Sequence, residues 1–160
     1  MIPLFLGLTL VNLLCLSVAT ALGFIRPGGT HILAGAMAAM VCVGVHCVVF
    51  TYFIATAKWV QHAILVRKLD QSLAEPTRSF KMQAFPAALL AMMSTFAAAM
   101  LGAALDNRMA SRQWHLWTSL AAVAVNLIVA IIEYRAIARN GRLIDDILAK
   151  INLEQAQSVT

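Results

Sequence analysis

His46 is the residue whose type and position carry the most chemistry, because its ionisable imidazole stands in the middle of a long apolar stretch. Three roles fit such a residue: a neutral imidazole hydrogen-bonded to a buried asparagine, an axial ligand of a b-type haem, or a step on a proton or substrate pathway. A haem at this position needs a second ligand, for which the candidates are Met92, Met93 or a histidine of another subunit.

His31 and His115 form a second candidate site, because each stands at the start of an apolar segment, with Asp106 close to the second of them. Two imidazoles and a carboxylate are possible metal ligands, but their spacing follows no known metal-binding motif, so we predict no metal ion here. If a haem lies at this edge of the molecule, His31 and His115 are its candidate axial ligands.

A polar stripe also runs along the last apolar segment, because residues spaced by three and four fall on one face of a helix. Its members are His115, Ser119, Ala122, Asn126, Ala130 and Glu133. Asn12, His46, Ser94 or Thr95, and Asn126 are expected at similar depth, and polar groups in hydrocarbon are costly unless they point inward. The sequence therefore predicts a polar layer at the centre of the molecule. It also predicts a salt bridge between Glu133 and Lys58 at the cytoplasmic end of the bundle.

The remaining chemistry-bearing residues have simpler interpretations. Cys15, Cys42 and Cys47 lie inside apolar runs and read as small packing residues, since their spacing suits neither a disulfide framework nor a metal site. Motifs of hydrolases, metalloproteases and phosphate-binding loops do not occur in the sequence. A non-catalytic protein is therefore the favoured interpretation.

Composition decides which environment must position these residues. Apolar residues make up 61% of the 160 residues, charged residues 12%, and the mean hydropathy is +0.82. Soluble domains are about half apolar and about a quarter charged, so the sequence predicts an integral membrane protein. The net charge of +5 comes from basic residues that flank the apolar runs, which gives no reason to expect a nucleic-acid partner.

Runs without charged residues define four membrane spans near 3–24, 32–57, 84–105 and 114–135. Each reaches the roughly 20 residues that a helix needs to cross the hydrocarbon core. No alternating barrel pattern is present, so helices are the structures that can satisfy the backbone in lipid. The predicted fold is an all-α bundle of four transmembrane helices, arranged as two hairpins.

Lysine and arginine residues are unevenly distributed between the two sides of this bundle. Nine of the twelve lie in residues 58–83 and 135–160, and three lie in the two opposite loops. The positive-inside rule then places both termini and the middle loop in the cytoplasm. We expect the membrane to be the inner membrane of a bacterium.

The segments 58–83 and 136–160 carry apolar residues at helical spacing, which predicts cytoplasmic extensions of the second and fourth helices. Asn140-Gly141 predicts an interruption of the second extension, because glycine favours a helix end. Shifting the sequence by 75 residues aligns the two extensions with each other. Either a duplicated hairpin or coincidence explains this alignment. Their apolar stripes would rest on each other or on lipid, or would dock a partner protein.

The third span carries small residues at every fourth position, which allow helices to approach closely. They are Ala87, Ala91, Thr95, Ala99 and Ala103. This face and the two cytoplasmic extensions are the expected contacts with other membrane subunits. Pro86 is expected in the first turn of this helix, where a missing N–H costs least.

Two functions are compatible with these features. The first is a small accessory or anchor subunit of a larger membrane complex, such as a respiratory or photosynthetic electron-transfer assembly, with a b-type haem as the possible cofactor. The second is a small oligomeric transporter or channel that uses the polar layer of Asn12, His46 and Asn126 as its pathway.

Overall fold

The computed structural model describes residues 1–25, 28–107 and 109–158, and that part of the chain is helical without any strand. Each of the four long helices is long and apolar enough to span a membrane, which confirms the predicted class of fold. The helices are α1 (Ile2–Ile25), α2 (Gly29–Arg67), α3 (Glu75–Asp106) and α4 (Arg112–Ser158), with a short 3-10 helix (Gln71–Ala74) between α2 and α3.

The four helices form a ring in which α1 and α3 each pack against both α2 and α4. The helices α2 and α4 face each other across the middle of the ring and contact each other at few backbone positions. We call the end where α2 and α4 begin the loop end, and the opposite end, at 58–75 and 136–158, the extension end. Side chains between α2 and α4 therefore line the axis of the bundle.

At the extension end, α2 and α4 continue beyond the predicted spans and pack on each other. A cluster of buried apolar side chains joins them, consisting of Val60, Ala63, Ile64 and Ile147. Leu69 and Leu73, from the connection to α3, pack against the same cluster. The two apolar stripes seen in the sequence are thus partly buried within the chain itself.

The connection between α2 and α3 is tight. Lys68 adopts the left-handed conformation (φ 53°), and its backbone N–H donates to the Ile64 carbonyl, which ends α2. Asp70 then caps the 3-10 helix, because its carboxylate accepts a hydrogen bond from the Ser72 backbone N–H at 2.9 Å. The same bond lowers the pKa of Asp70 below its ordinary value.

The predicted position of Pro86 in a first turn is wrong, because α3 begins at Glu75 rather than near residue 84. Pro76 occupies the first turn instead, where the missing N–H has no helical partner to lose. Pro86 lies inside the helix and cannot donate to the carbonyl of Met82, whose side chain is exposed.

The predicted interruption at Asn140-Gly141 is also wrong, because α4 is continuous through both residues. Asn140 is 1% exposed, and its Nδ2 donates to the Tyr52 hydroxyl and to Thr56 Oγ1, both at 3.0 Å. These hydrogen bonds to α2 stabilise α4 beside Gly141. A glycine inside a helix lowers stability by about 1 kcal/mol relative to alanine, and the hydrogen bonds of Asn140 offset that loss.

Candidate functional site

Polar side chains of α2 and α4 meet at four depths along the bundle axis. From the loop end to the extension end, the pairs are His31 with His115, Cys42 with Asn126, His46 with Glu133, and Tyr52 and Thr56 with Asn140. At about 100° per residue, the members on α4 lie within about 40° of one another and those on α2 within about 120°, so each helix presents its members towards the other.

The second depth is a hydrogen-bonded amide layer that draws on all four helices. Asn12 Nδ2 donates to Asn126 Oδ1 at 3.0 Å, and Asn126 Nδ2 donates to Thr95 Oγ1 at 3.2 Å. Cys42 Sγ lies 3.4 Å from both Asn126 Oδ1 and Thr95 Oγ1. These four side chains are buried. Ser94 does not join them, because its hydroxyl donates to a carbonyl of its own helix.

The third depth holds a buried imidazole–carboxylate pair. His46 Nδ1 lies 2.8 Å from Glu133 Oε1, and the two residues are 2% and 1% exposed. The expected bridge between Lys58 and Glu133 is wrong, since Lys58 is exposed while Glu133 faces inward, two turns from Asn126 on the same face. The expected bond from His46 to an asparagine is also absent from the described residues, because Asn12 and Asn126 bond each other.

The structure does not bring Met93 together with His46. Met93 is 64% exposed on the outer surface of α3, whereas His46 is buried and its Nδ1 is held by Glu133. A cleft lined by Thr95 and Ala122 reaches towards the polar layer, but His46 is not among its lining residues. A haem held by His46 and Met93 therefore does not fit this arrangement.

The first depth is the histidine pair at the loop end. His31 Nδ1 lies 3.0 Å from the Ala19 carbonyl oxygen, and His115 Nδ1 lies 3.1 Å from that of Ala98. A carbonyl oxygen can only accept, so both Nδ1 atoms are assigned as the donors. In the neutral rings, the lone pair is then on Nε2 in each case.

The two imidazoles meet end to end. Their Nε2 atoms are 3.4 Å apart and their ring centroids 5.7 Å apart, so both nitrogens lie close to the line that joins the ring centres. Two lone pairs that face each other repel unless a cation, either a proton or a metal ion, lies between them. The geometry of His31 and His115 is therefore compatible with a cation shared by the two imidazoles.

A glycine makes room for each of these rings. A Cβ atom added to Gly23 would lie 3.0 Å from His31, and one added to Gly102 would lie 2.9 Å from His115. Each glycine follows, by one helical turn, the residue whose carbonyl binds that histidine. Neither glycine is predicted from the sequence as a contact of a histidine, because a glycine one turn after an alanine marks no such contact until the helices are packed.

The same local arrangement thus occurs twice, once in α1 and α2 and once in α3 and α4. The histidines are 84 positions apart and the glycines 79, so the shift of 75 residues does not relate them. That shift instead aligns Leu73, in the 3-10 helix, with Leu148, in α4. It does not relate equivalent positions.

A cleft of about 390 Å³ lies around the histidine pair and is lined by all four helices. Its lining is mostly apolar, with Arg112 at the loop end and Thr95 and Ala122 at the deepest point. This volume falls in the range of small-molecule and cofactor sites. The structure does not describe the side chain of Asp106, nor Arg26, Pro27 and Arg108 of the two loops predicted at this end.

Within the described residues, no group of three or more histidine, cysteine, aspartate or glutamate side chains is placed to hold a metal ion. Comparison with protein-family models, with curated proteins and with solved structures finds no match for this chain.

The fit between Gly102 and His115 predicts opposite outcomes for two glycine substitutions. We expect Gly102→Ala to lower the thermal stability of the protein in detergent, because the new Cβ displaces His115 from the Ala98 carbonyl. Gly44→Ala is the matched control, since nothing lies within 4 Å of its added Cβ, and it should gain about 0.5–1 kcal/mol. Equal stabilisation in both variants would contradict the packing described above.

Proposed function

We propose that this chain is a small integral membrane subunit for electron transfer that holds a b-type haem between His31 and His115. The observation that carries the proposal is the end-to-end approach of two imidazoles inside an apolar cleft. Histidines that ligate metals commonly donate their other N–H to a backbone carbonyl, as both do here. Axial ligation by imidazole is one of the ways in which proteins hold haem iron.

The distance between the two Nε2 atoms and the direction in which the two rings point both favour a haem over a bare metal ion. Two metal–imidazole bonds of about 2 Å on one line place the Nε2 atoms about 4 Å apart. The observed 3.4 Å requires a small separation of α2 and α4, which have few backbone contacts with each other. A tetrahedral ion suits the distance, but it needs rings that converge at an angle rather than end to end.

We also propose an orientation of the four helices in the membrane. The excess of lysine and arginine at the extension end favours its location in the cytoplasm, with α1–α2 and α3–α4 as two hairpins in a bacterial inner membrane. Arg112, at the loop end, is then on the outer side, where its guanidinium suits the carboxylates of a haem.

The same features support the role of an accessory or anchor subunit. The exposed surface of the helices is largely apolar and is compatible with lipid or with neighbouring helices. Contacts with other subunits are proposed at the extension end and at the exposed part of the small-residue face of α3. Electrons would then pass between the haem of this chain and a redox partner bound beside it.

The test is the absorption spectrum of the full chain, purified in mild detergent from cells supplied with haem. We expect a Soret band, an α band that sharpens on reduction, and one haem per chain. A folded protein without a Soret band after incubation with excess hemin overturns the proposal. Analysis of zinc and copper in the same preparation reveals whether a bare metal occupies the histidine pair instead.

A second candidate function is a small oligomeric transporter or channel whose pathway uses Asn12 and Asn126 of the amide layer together with His46 at the next depth. The observation that favours it is the ionisable pair of His46 and Glu133 buried midway along the bundle. Ion-flux measurements on the chain in liposomes distinguish this function from electron transfer.

A further inference from the structure

We infer that His46 and Glu133 form a proton-binding site within the membrane, which exchanges protons with the loop end of the bundle and not with the extension end. This inference does not depend on the haem proposed above. It stands on the pair itself, on the polar groups that lead to it from one side, and on the apolar cluster that closes it on the other.

The pair has a vacant position for a proton. His46 Nδ1 lies 2.8 Å from Glu133 Oε1, and with the shared proton on Nδ1 and the carboxylate ionised, Nε2 carries a lone pair. His46 Nε2 is buried and has no hydrogen-bond partner among the described residues. A buried acceptor left without a partner is costly and marks a place where a proton or a water molecule is bound.

Few other titratable groups act on this pair. In the described part of the chain, those that act on His46 are Glu133, from α4, and Cys42, one turn earlier on α2, and none comes from α1 or α3. Among the described residues, these two are therefore the groups whose charge bears on the protonation of His46.

Polar groups connect the pair to the loop end. The cleft reaches Thr95 and Ala122. Below them, Asn126 and Cys42 continue the polar run through the amide layer, and Cys42 lies one turn from His46 on α2. A proton from water in the cleft would pass these side chains, and its last step to His46 Nε2 would run through a water molecule, because no described side chain bonds that atom.

The opposite direction is closed by apolar side chains. A buried cluster lies between the depth of Glu133 and that of Asn140, and it includes Phe5, Val49, Phe53, Ala136 and Ile137. The hydrogen bonds of Asn140 with Tyr52 and Thr56 lie beyond this cluster. Proton access from the extension end would have to cross it.

The proposed step adds one proton to the pair. A hydrated proton in the cleft is transferred to the lone pair of His46 Nε2 and leaves a water molecule behind. If Glu133 is ionised, the Nδ1 proton can then move to its carboxylate, and the imidazole stays neutral overall. Release follows the same path in reverse, because the other side is closed.

The experiment uses infrared spectroscopy of the full chain in liposomes, with the carboxyl band of Glu133 assigned by its loss in Glu133→Gln. Asn126 and Asn140 lie seven residues before and after Glu133 on α4, so Asn126→Leu and Asn140→Leu are matched variants. We expect Asn126→Leu to slow hydrogen–deuterium exchange of this carboxyl at least tenfold, and Asn140→Leu to leave it unchanged.

Each other outcome overturns the inference. Slower exchange in Asn140→Leu alone means access from the extension end, and unchanged exchange in both variants means that the amide layer is not the route. A carboxyl band that does not respond to pH or to deuterium means that the pair is only structural. If Asn126→Leu does not fold, Thr95→Val removes the hydroxyl that lies between the cleft and Asn126 and is held to the same expectation.

Discussion

His31→Ala is expected to lower the affinity of the chain for haem by about a hundredfold or more, and His115→Ala is expected to do the same. Each substitution removes one of two axial ligands, whereas loss of an outer partner of a ligand already costs about 10–100-fold in metal proteins. Each substitution also removes one hydrogen bond to a backbone carbonyl, so circular dichroism of the variants must first show an unchanged helix content. Titration of the purified protein with hemin measures the affinity.

The matched control for this prediction is His62→Ala, since His62 is exposed on the same helix as His31. It should bind haem as the unchanged chain does. If His31→Ala retains the full Soret band while His46→Ala loses it, the haem lies at the third depth and the assignment to the outer pair is wrong. If His31→Ala, His115→Ala and His62→Ala lose the Soret band equally, haem binding does not report on His31 and His115.

Glu133→Leu is expected to destabilise the protein by about 3–5 kcal/mol, because it leaves the His46 imidazole buried without its partner. The double substitution of His46→Leu with Glu133→Leu should restore most of this loss, since apolar replacement of a whole buried pair is often neutral or stabilising. Unfolding in detergent, followed by circular dichroism, gives the free energies for a double-mutant cycle.

Asp146→Leu serves as the control for the charge change, because Asp146 is exposed on the same helix and should alter stability by less than about 0.5 kcal/mol. A double variant whose loss of stability equals the sum of the two single losses would show that the two residues act independently. In that case, the 2.8 Å contact would contribute little, and the proton site would lose its structural basis.

The hydropathy of the sequence was enough to predict four membrane-spanning helices, because the requirement for a charge-free run of about 20 residues is local to each segment. The helical spacing of His115, Asn126 and Glu133 likewise indicated one polar face, because periodicity along a helix does not depend on its neighbours. The boundaries were less well predicted: α3 begins nine residues earlier than the predicted span, and α4 passes through Gly141.

The partners of these polar residues could be decided only by the tertiary structure. Glu133 binds His46 rather than Lys58, and His31 meets His115 across the bundle. Such pairs depend on how each helix is rotated about its axis and on which helices are diagonal neighbours, and neither quantity is encoded in one segment alone. The sequence determined what had to be buried, whereas packing in the ring of helices determined what each buried group contacts.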